Sequence, residues 1–189
     1  MRVIAGAHKG RILKTAHDLS VRPATGKVRA AIFNVLQNRI DLTGARILDL
    51  YAGSGSLGIE ALSRGARLVI LVEAHPATAR LADENLNALG IKKSAEVIQS
   101  DAVQGLEKMA ARHLLADFIF LDPPYEDTTE HLKVLDYLDT AHLIAPYGLV
   151  IVEHHHKMEL PGRFDRLERT RLLEQGDATL SFYGLAAAA

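Results

Sequence analysis

Between residues 46 and 152, short unbroken apolar runs alternate with helical patterns, and that alternation leaves few folds open. The runs are Arg46 to Leu50, Leu68 to Val72, Glu96 to Ile98, Phe118 to Leu121 and Leu149 to Val152. A strand with one wet face alternates apolar and polar side chains; these do not, so both of their faces are covered. The segments between them supply the cover. One helix follows a Gly-rich turn and ends near Gly65. A second is opened by Pro76 at a first-turn position and stopped at Gly90, and a third runs from about Ala102 to Arg112. Helical residues also separate the fourth and fifth runs. This pattern predicts an α/β domain built on a parallel sheet. Beyond Val152 the alternation stops. Arg166 to Leu173 and Ala178 to Tyr183 flank Glu174-Gln175-Gly176-Asp177, which predicts a closing β-hairpin. With 189 residues the chain holds one such domain with a sizeable core and is too short for two generous ones.

Residues 1–40 read as an extension of a domain spanning residues 41–186. Val3-Ile4 and Ile12-Leu13 flank a Gly- and Lys-rich turn, predicting a short hairpin. Residues 15–26 form a loop. From Lys27, the residues Val28, Ala31, Ile32, Val35 and Leu36 recur at helical spacing, with Arg29, Asn34 and Gln37 on the opposite face. The net charge of −1 hides a division: residues 1–40 hold eight Lys and Arg against Asp18 alone, a net of +7, and the remainder carries −8. A basic arm on an acidic body predicts a polyanion contact at one face. Residues 187–189, the end of an alanine run, read as a tail or cloning remnant.

Composition closes several routes. The chain has no cysteine, which removes disulfides, thiolate zinc sites, iron–sulfur clusters and cysteine nucleophiles. Apolar runs such as Phe118 to Leu121 are too short to span a bilayer, and Gly6, His8, Lys9, Gly10 and Arg11 interrupt any signal-peptide core. A cytoplasmic protein, monomeric by default, is expected.

Asp49-Leu50-Tyr51-Ala52-Gly53-Ser54-Gly55-Ser56-Leu57-Gly58 places a G-x-G-x-x-G between a strand and a helix, with Glu73 20 residues beyond Gly53. This spacing fits a dinucleotide site, yet it does not separate NAD from other adenosine-bearing cofactors. Asp49 discriminates. A carboxylate at the mouth of the pocket repels a pyrophosphate on the following helix N-terminus. S-adenosylmethionine has no phosphate and carries an ammonium beside a sulfonium, for which a carboxylate is attractive. Asp49 can also cap the Gly-rich turn through backbone N–H groups. Glu73 suits a ribose diol. Asp101, followed by Ala102, can accept from an adenine amino group or cap the next helix.

Asp122-Pro123-Pro124-Tyr125 follows the fourth strand directly, at the carboxyl edge where open α/β sheets bind ligands. Prolines lack N–H donors and have rigid φ, so the site offers acceptors: the Asp122 carboxylate and the Pro123 carbonyl. Tyr125 adds a face for stacking a base. An exocyclic amine on a nucleobase is a poor nucleophile because its lone pair is delocalised into the ring. Two acceptors on its N–H bonds favour a pyramidal nitrogen and aim the lone pair at a sulfonium methyl, and the proton can then leave to Asp122 or water.

These residues resemble a family. Asp122 to Tyr125 with the upstream Gly-rich loop resembles the amino-directed class I methyltransferases. Arg2-Val3-Ile4-Ala5-Gly6, Gly10-Arg11, Arg22-Pro23, Val28 to Leu36, Asp49 to Ala66 and Gly176-Asp177 extend the likeness. Over nearly the whole chain it resembles the RsmD family, bacterial 16S rRNA guanine-N2 methyltransferases. The resemblance implies a Rossmann-like class I fold with a mostly parallel seven-stranded sheet and an antiparallel final strand. It implies S-adenosylmethionine as donor and a guanine of the small ribosomal subunit as acceptor. Carried over by position, Asp49, Tyr51, Ala52, Gly53, Ser54, Gly55 and Gly58 meet the donor's methionine part. Glu73 meets the ribose, and Asp101 with Ala102 the adenine. Asp122, Pro123 and Tyr125 hold the target base, with Asp122 also beside the donor. Lys9, Arg11, Arg22, Lys27 and Arg29 hold RNA, presented by a small-subunit particle.

Three rivals compete. A DNA adenine or cytosine amino-methyltransferase shares the Asp-Pro-Pro-Tyr chemistry but has no room here for a recognition domain. An NAD-dependent oxidoreductase leaves Asp49 and the Pro-Pro-Tyr turn unexplained. A non-catalytic RNA-binding assembly factor needs only the arm. Glu153-His154-His155-His156 looks like a metal cluster, but only His154 and His156 share a side in an extended segment, and no metal is expected.

Overall fold

The computed structural model describes residues 1–15, 26–37, 42–123 and 128–187. Helix α1 (Gly26–Gln37) precedes an alternating series: β1 (Arg46–Leu50), α2 (Ser56–Ser63), β2 (Leu68–Glu73), α3 (Pro76–Leu89), β3 (Ala95–Gln99), α4 (Ala102–Ala111), β4 (Ala116–Leu121), α5 (Thr128–Thr140) and β5 (Ile144–His155). The chain closes with β6 (Leu167–Gln175) and β7 (Ala178–Leu185). The boundaries follow local chemistry. Pro76 opens α3, and Gly90 ends it in the left-handed region with φ of 71°. The Asp101 side chain caps α4 by accepting from the Gln104 N–H.

All seven strands form one sheet in the order β3-β2-β1-β4-β5-β7-β6. β1 pairs in parallel with β2 and β4, β4 with β5, and β2 with β3. β7 runs antiparallel to both β5 and β6. The order reverses between β1 and β4, so the loops leaving those two strands diverge and open a crevice at the carboxyl edge.

Apolar side chains fill both faces. On one, Leu48, Ile70, Ile119 and Val150 pack with Leu106 and Met109 of α4 and Val134, Leu135 and Leu138 of α5. On the other, Ile47, Val69, Leu71, Phe118 and Phe120 pack with Ile59 of α2 and Ala82 and Leu86 of α3. Val3, Leu13, Ile32, Phe33 and Leu36 join this second layer, so the basic extension is packed onto the sheet's own core. The hairpin is tied to α5 by Asp139, whose carboxylate accepts from the Arg166 and Leu167 N–H groups at 2.7 and 2.8 Å.

One element is longer than its pattern. β5 begins at Ile144, five residues before the apolar run, because Pro146-Tyr147-Gly148 interrupts its sequence. Tyr147 adopts a φ of 65°, and the register with β4 shifts there before regular pairing resumes at Leu149.

Candidate active site

The crevice is lined by strand ends. Asp49 lies near the end of β1, and Leu50 pairs with Leu121, the last residue of β4; Asp122 comes next. Leu121 also pairs with Val152 of β5, so Glu153 stands one step further along, beside Asp122. Glu73 ends β2. Four carboxylates on adjacent strands therefore converge where the strand order reverses.

The Gly-rich turn is held by two of them. Gly53 and Gly55 both take positive φ, at 56° and 80°. The Gly53 N–H donates to Glu73 Oε2 at 2.8 Å, and the Gly58 N–H donates to Asp49 Oδ2 at 2.9 Å. The other Glu73 oxygen accepts from the His75 N–H. The Ala52 N–H donates to the Val72 carbonyl, pinning the loop to β2. Gly58 has no room for a side chain: a Cβ there would lie 2.5 Å from Leu71 Cδ2, so the missing carbon lets α2 sit close on β2. Around a Cβ placed on Gly53, by contrast, space is open. Tyr51 also has a positive φ, 60°, uncommon for a bulky residue, and its hydroxyl donates to Glu130 of α5 at 2.7 Å. Ser54 is buried, and its carbonyl accepts from Asn85 of α3.

This arrangement decides between the cofactor classes that the spacing left open. A pyrophosphate cradle aims loop N–H groups at the ligand. Here the Gly53 and Gly58 N–H groups are already taken by carboxylates, and the mouth is rich in acceptors and negative charge. Such a set of acceptors fits a phosphate-free, cation-bearing ligand with a diol, and it does not fit NAD. Asp49 performs the turn-capping role weighed for it, and its remaining lone pairs face the same requirement for a cation.

The electrostatics follow from crowding. Asp49 is 1% exposed; burial, with a smaller push from the charge of Glu73, raises its pKa to about 7 against the Gly58 hydrogen bond. Asp122 is pushed well above the ordinary carboxylate range by burial and by the nearby charges of Glu153 and Asp49. Pro123 is buried behind it. Pro124 and Tyr125 lie outside the described residues. Asp101 is exposed at the head of α4, and Ala102 is buried.

The basic arm is built on the back of the same loop. Arg2 bridges Ile12, with the Val3 N–H donating to the Arg11 carbonyl at 3.0 Å, so the expected hairpin forms as a narrow turn. It is anchored by Glu60 of α2, fully buried, whose two oxygens accept from the Ile4 and Ala5 N–H groups at 2.7 and 3.0 Å. Arg64 neutralises Glu60 at 2.8 Å and lies over the Phe33 ring. Lys9, Arg11 and Lys27 are exposed, as a phosphate contact requires. Arg22 lies outside the described residues. Arg29 corrects the helical-face expectation: it is 2% exposed, and its guanidinium donates to the Arg2 carbonyl at 2.7 Å. α1 buries more than the apolar stripe alone, because the arm folds across its polar side and needs a donor there. Arg29 therefore reaches no phosphate in this arrangement.

The histidine run also resolves. His154 is buried against Ser181 of β7, 2.9 Å from its hydroxyl, and burial lowers its pKa. β5 ends at His155, so strand alternation no longer separates the next ring, and the His155 and His156 rings lie together with centroids 4.3 Å apart. Among the described residues no three His, Asp or Glu side chains form a metal-sized group. Glu153, weighed in the sequence only as part of a metal-like run with the histidines, is instead a neighbour of Asp122. Its signal was present: like Asp49 and Asp122, it stands at the carboxyl end of an apolar strand.

The model of the family described as "Conserved hypothetical protein 95" matches residues 1–184. The chain belongs to this family, the RsmD family. One RsmD-family relative, "Putative rRNA methyltransferase YlbH" of Bacillus subtilis, is 40% identical over 184 residues, 97% of this chain and 98% of its own length. "Ribosomal RNA small subunit methyltransferase D" of Escherichia coli K12 is 33% identical over 161 residues, 85% of this chain and 78% of the relative. Among solved structures, "Putative methyltransferase yhhF from Escherichia coli" superposes with a TM-score of 0.85 at 30% identity, covering 100% of this chain and 99% of that one. The Rossmann-like class I fold, with its seven strands and antiparallel β7, is therefore that of the RsmD family, as the motif resemblance implied.

Proposed function

We propose that this chain transfers a methyl group from S-adenosylmethionine to the exocyclic N2 of a guanine in 16S rRNA, presented in a small-subunit particle. Membership of the RsmD family supports an S-adenosylmethionine-dependent rRNA methyltransferase. The observation that carries the finer reading is the acceptor-only crevice: Asp49 and Glu73 close the glycine loop to phosphate, and Asp122-Pro123 stands directly beside it.

In this reading Asp49 and its turn receive the ammonium end of the donor, Glu73 the ribose hydroxyls, and Asp101 with Ala102 the adenine. Bound S-adenosylmethionine supplies an electrophilic methyl group on a sulfonium. Asp122 and the Pro123 carbonyl hold the guanine N2 protons and orient the nitrogen lone pair. Asp122 then accepts the proton that N2 loses, a task suited to a carboxylate whose proton affinity is raised by burial and by Glu153. The sequence places Tyr125 two residues after Pro123, as a ring for the unstacked base. Lys9, Arg11, Arg22 and Lys27 hold the RNA backbone.

The test is methyl transfer from labelled S-adenosylmethionine to small-subunit particles from cells lacking the modification, with protein-free 16S rRNA and duplex DNA alongside. Digestion to nucleosides and mass spectrometry should yield N2-methylguanosine from the particle or its RNA. A methylated adenine or cytosine instead would discard guanine N2, and absence of transfer with the cofactor bound would discard the acceptor class.

A further inference from the structure

Asn85, in the middle of α3, belongs to neither the crevice nor the basic surface, yet it touches both. Its side chain is 2% exposed. Asn85 Oδ1 accepts from the Lys14 N–H at 2.9 Å, and Nδ2 donates to the Lys14 carbonyl and to the Ser54 carbonyl, each at 3.0 Å. Both amide protons are thereby used, one on the basic arm and one on the cofactor loop. The orientation is not ambiguous, since a flipped amide would set its N–H groups against the Lys14 N–H. Neighbouring contacts fix the same stretch of the arm to α3. Lys14 Nζ pairs with Glu84 at 2.9 Å, and the Arg11 guanidinium donates to the Ala88 carbonyl at 3.1 Å. α2 makes a second connection, beginning at the cofactor loop and ending at Glu60 and Ser63, which hold Ile4, Ala5 and His8.

We infer that Asn85 is a positioning residue that couples cofactor binding to RNA binding, by locking the Ser54 carbonyl and the Lys14 backbone into one arrangement. The inference rests on the function proposed above, which makes residues 53–58 the cofactor loop and residues 2–14 part of the RNA surface. A purely structural side chain could fill the same space. Only a group with one acceptor and two donors serves the Lys14 N–H and both carbonyls at once. A ligand that orders Ser54 therefore orders Lys14 through a single planar amide, and by linkage the RNA that orders Lys14 favours the loop geometry of the bound cofactor.

Two measurements on the full chain test this. The first needs no variant: hydrogen exchange of the Lys14 amide, with saturating S-adenosylhomocysteine and no RNA, should slow several-fold. An unchanged rate overturns the coupling. The second is the dissociation constant of S-adenosylhomocysteine, with and without protein-free 16S rRNA, for the wild type and for Asn85→Leu. RNA should tighten wild-type binding by about five-fold or more, within the range of ordinary coupling energies. Asn85→Leu should bring the ratio to within two-fold of unity while still binding each ligand alone. A wild-type ratio of one, or a variant that is merely less stable but keeps the wild-type ratio, overturns the inference and leaves the proposed function standing. A wild type that binds neither S-adenosylhomocysteine nor RNA overturns the proposed function itself.

Discussion

Asp122 and Asp49 are both carboxylates at the ends of buried strands, and both are pushed towards the neutral form, but their tasks differ. Asp122 stands where the acceptor amine is expected. Asp122→Ala should lower kcat by at least about 100-fold, the usual scale for losing a positioned acid–base group. It should leave the S-adenosylhomocysteine dissociation constant within about three-fold, because Asp49 and Glu73 still hold the loop. Single-turnover kinetics beside calorimetry separate the two, and equal loss of both would contradict the assignment. Asp49 makes a pH prediction. Its folded pKa of about 7 lies above the ordinary 3.8, so the stability this favours is full below pH 4 and is lost as pH rises through 7. Asp49→Asn keeps an acceptor for the Gly58 N–H and removes the charge. Its stability relative to wild type should improve between pH 5 and pH 8 by up to a few kcal/mol, measured by urea titration. The ligand's ammonium stabilises the charged form, so wild-type affinity for S-adenosylhomocysteine should rise across the same interval. The variant's affinity should stay weak and flat.

At the scale of elements, the legible part of the fold was that governed by local chemistry. Pro76 and Gly90 mark the ends of α3 in sequence, and unbroken apolar runs mark β1, β2 and β4, because strands covered on both faces need no polar alternation. The first part of β5 is hidden in sequence because Pro146-Tyr147-Gly148 has the composition of a turn, and only pairing with β4 shows that the strand continues past the bulge. In the site, strand-end carboxylates were legible because position after an apolar run fixes them at the crevice. Arg29 was not, since helical periodicity reports which side faces the sheet and says nothing of an arm folded over the other side. Glu60 and Asn85 were silent for the same reason: the backbone groups they hold lie 31 to 71 residues away in sequence. Gly6 shows how tightly that arm is set. It has a φ of 81°, and a Cβ would fall 1.7 Å from the Ser63 carbonyl oxygen, an overlap that backbone must move to relieve. Gly6→Ala should cost roughly 1–3 kcal/mol of stability and raise KM for RNA, while the S-adenosylhomocysteine dissociation constant changes less. An unaltered urea midpoint would show that the arm is not docked in this way.

Over the whole molecule, charge is divided so that the body repels what the arm attracts. Residues 42–187 present most of the 23 acidic groups of the chain, whereas Arg2, Lys9, Arg11 and Lys27 are exposed on or beside the arm. A polyanion is thereby oriented before it makes any specific contact, with its backbone on the arm and the arm fixed to the loop that forms the crevice. The carboxylates of the crevice add a second filter, since they admit a base edge bearing N–H groups and oppose a phosphate. Such an arrangement makes affinity depend on ionic strength through counterion release. With four exposed cations engaged, the logarithm of the RNA association constant should fall against the logarithm of salt concentration with a slope of roughly −3 to −4. Lys9→Ala should make that slope shallower by about one unit and weaken binding to different RNA sequences alike, because a phosphate contact carries no base information. S-adenosylhomocysteine binding, governed by buried carboxylates that salt screens poorly, should change little over the same range. Filter binding or fluorescence anisotropy between low and physiological salt reads the slope directly. A flat line would mean that the basic arm, for all its charge, does not carry the RNA.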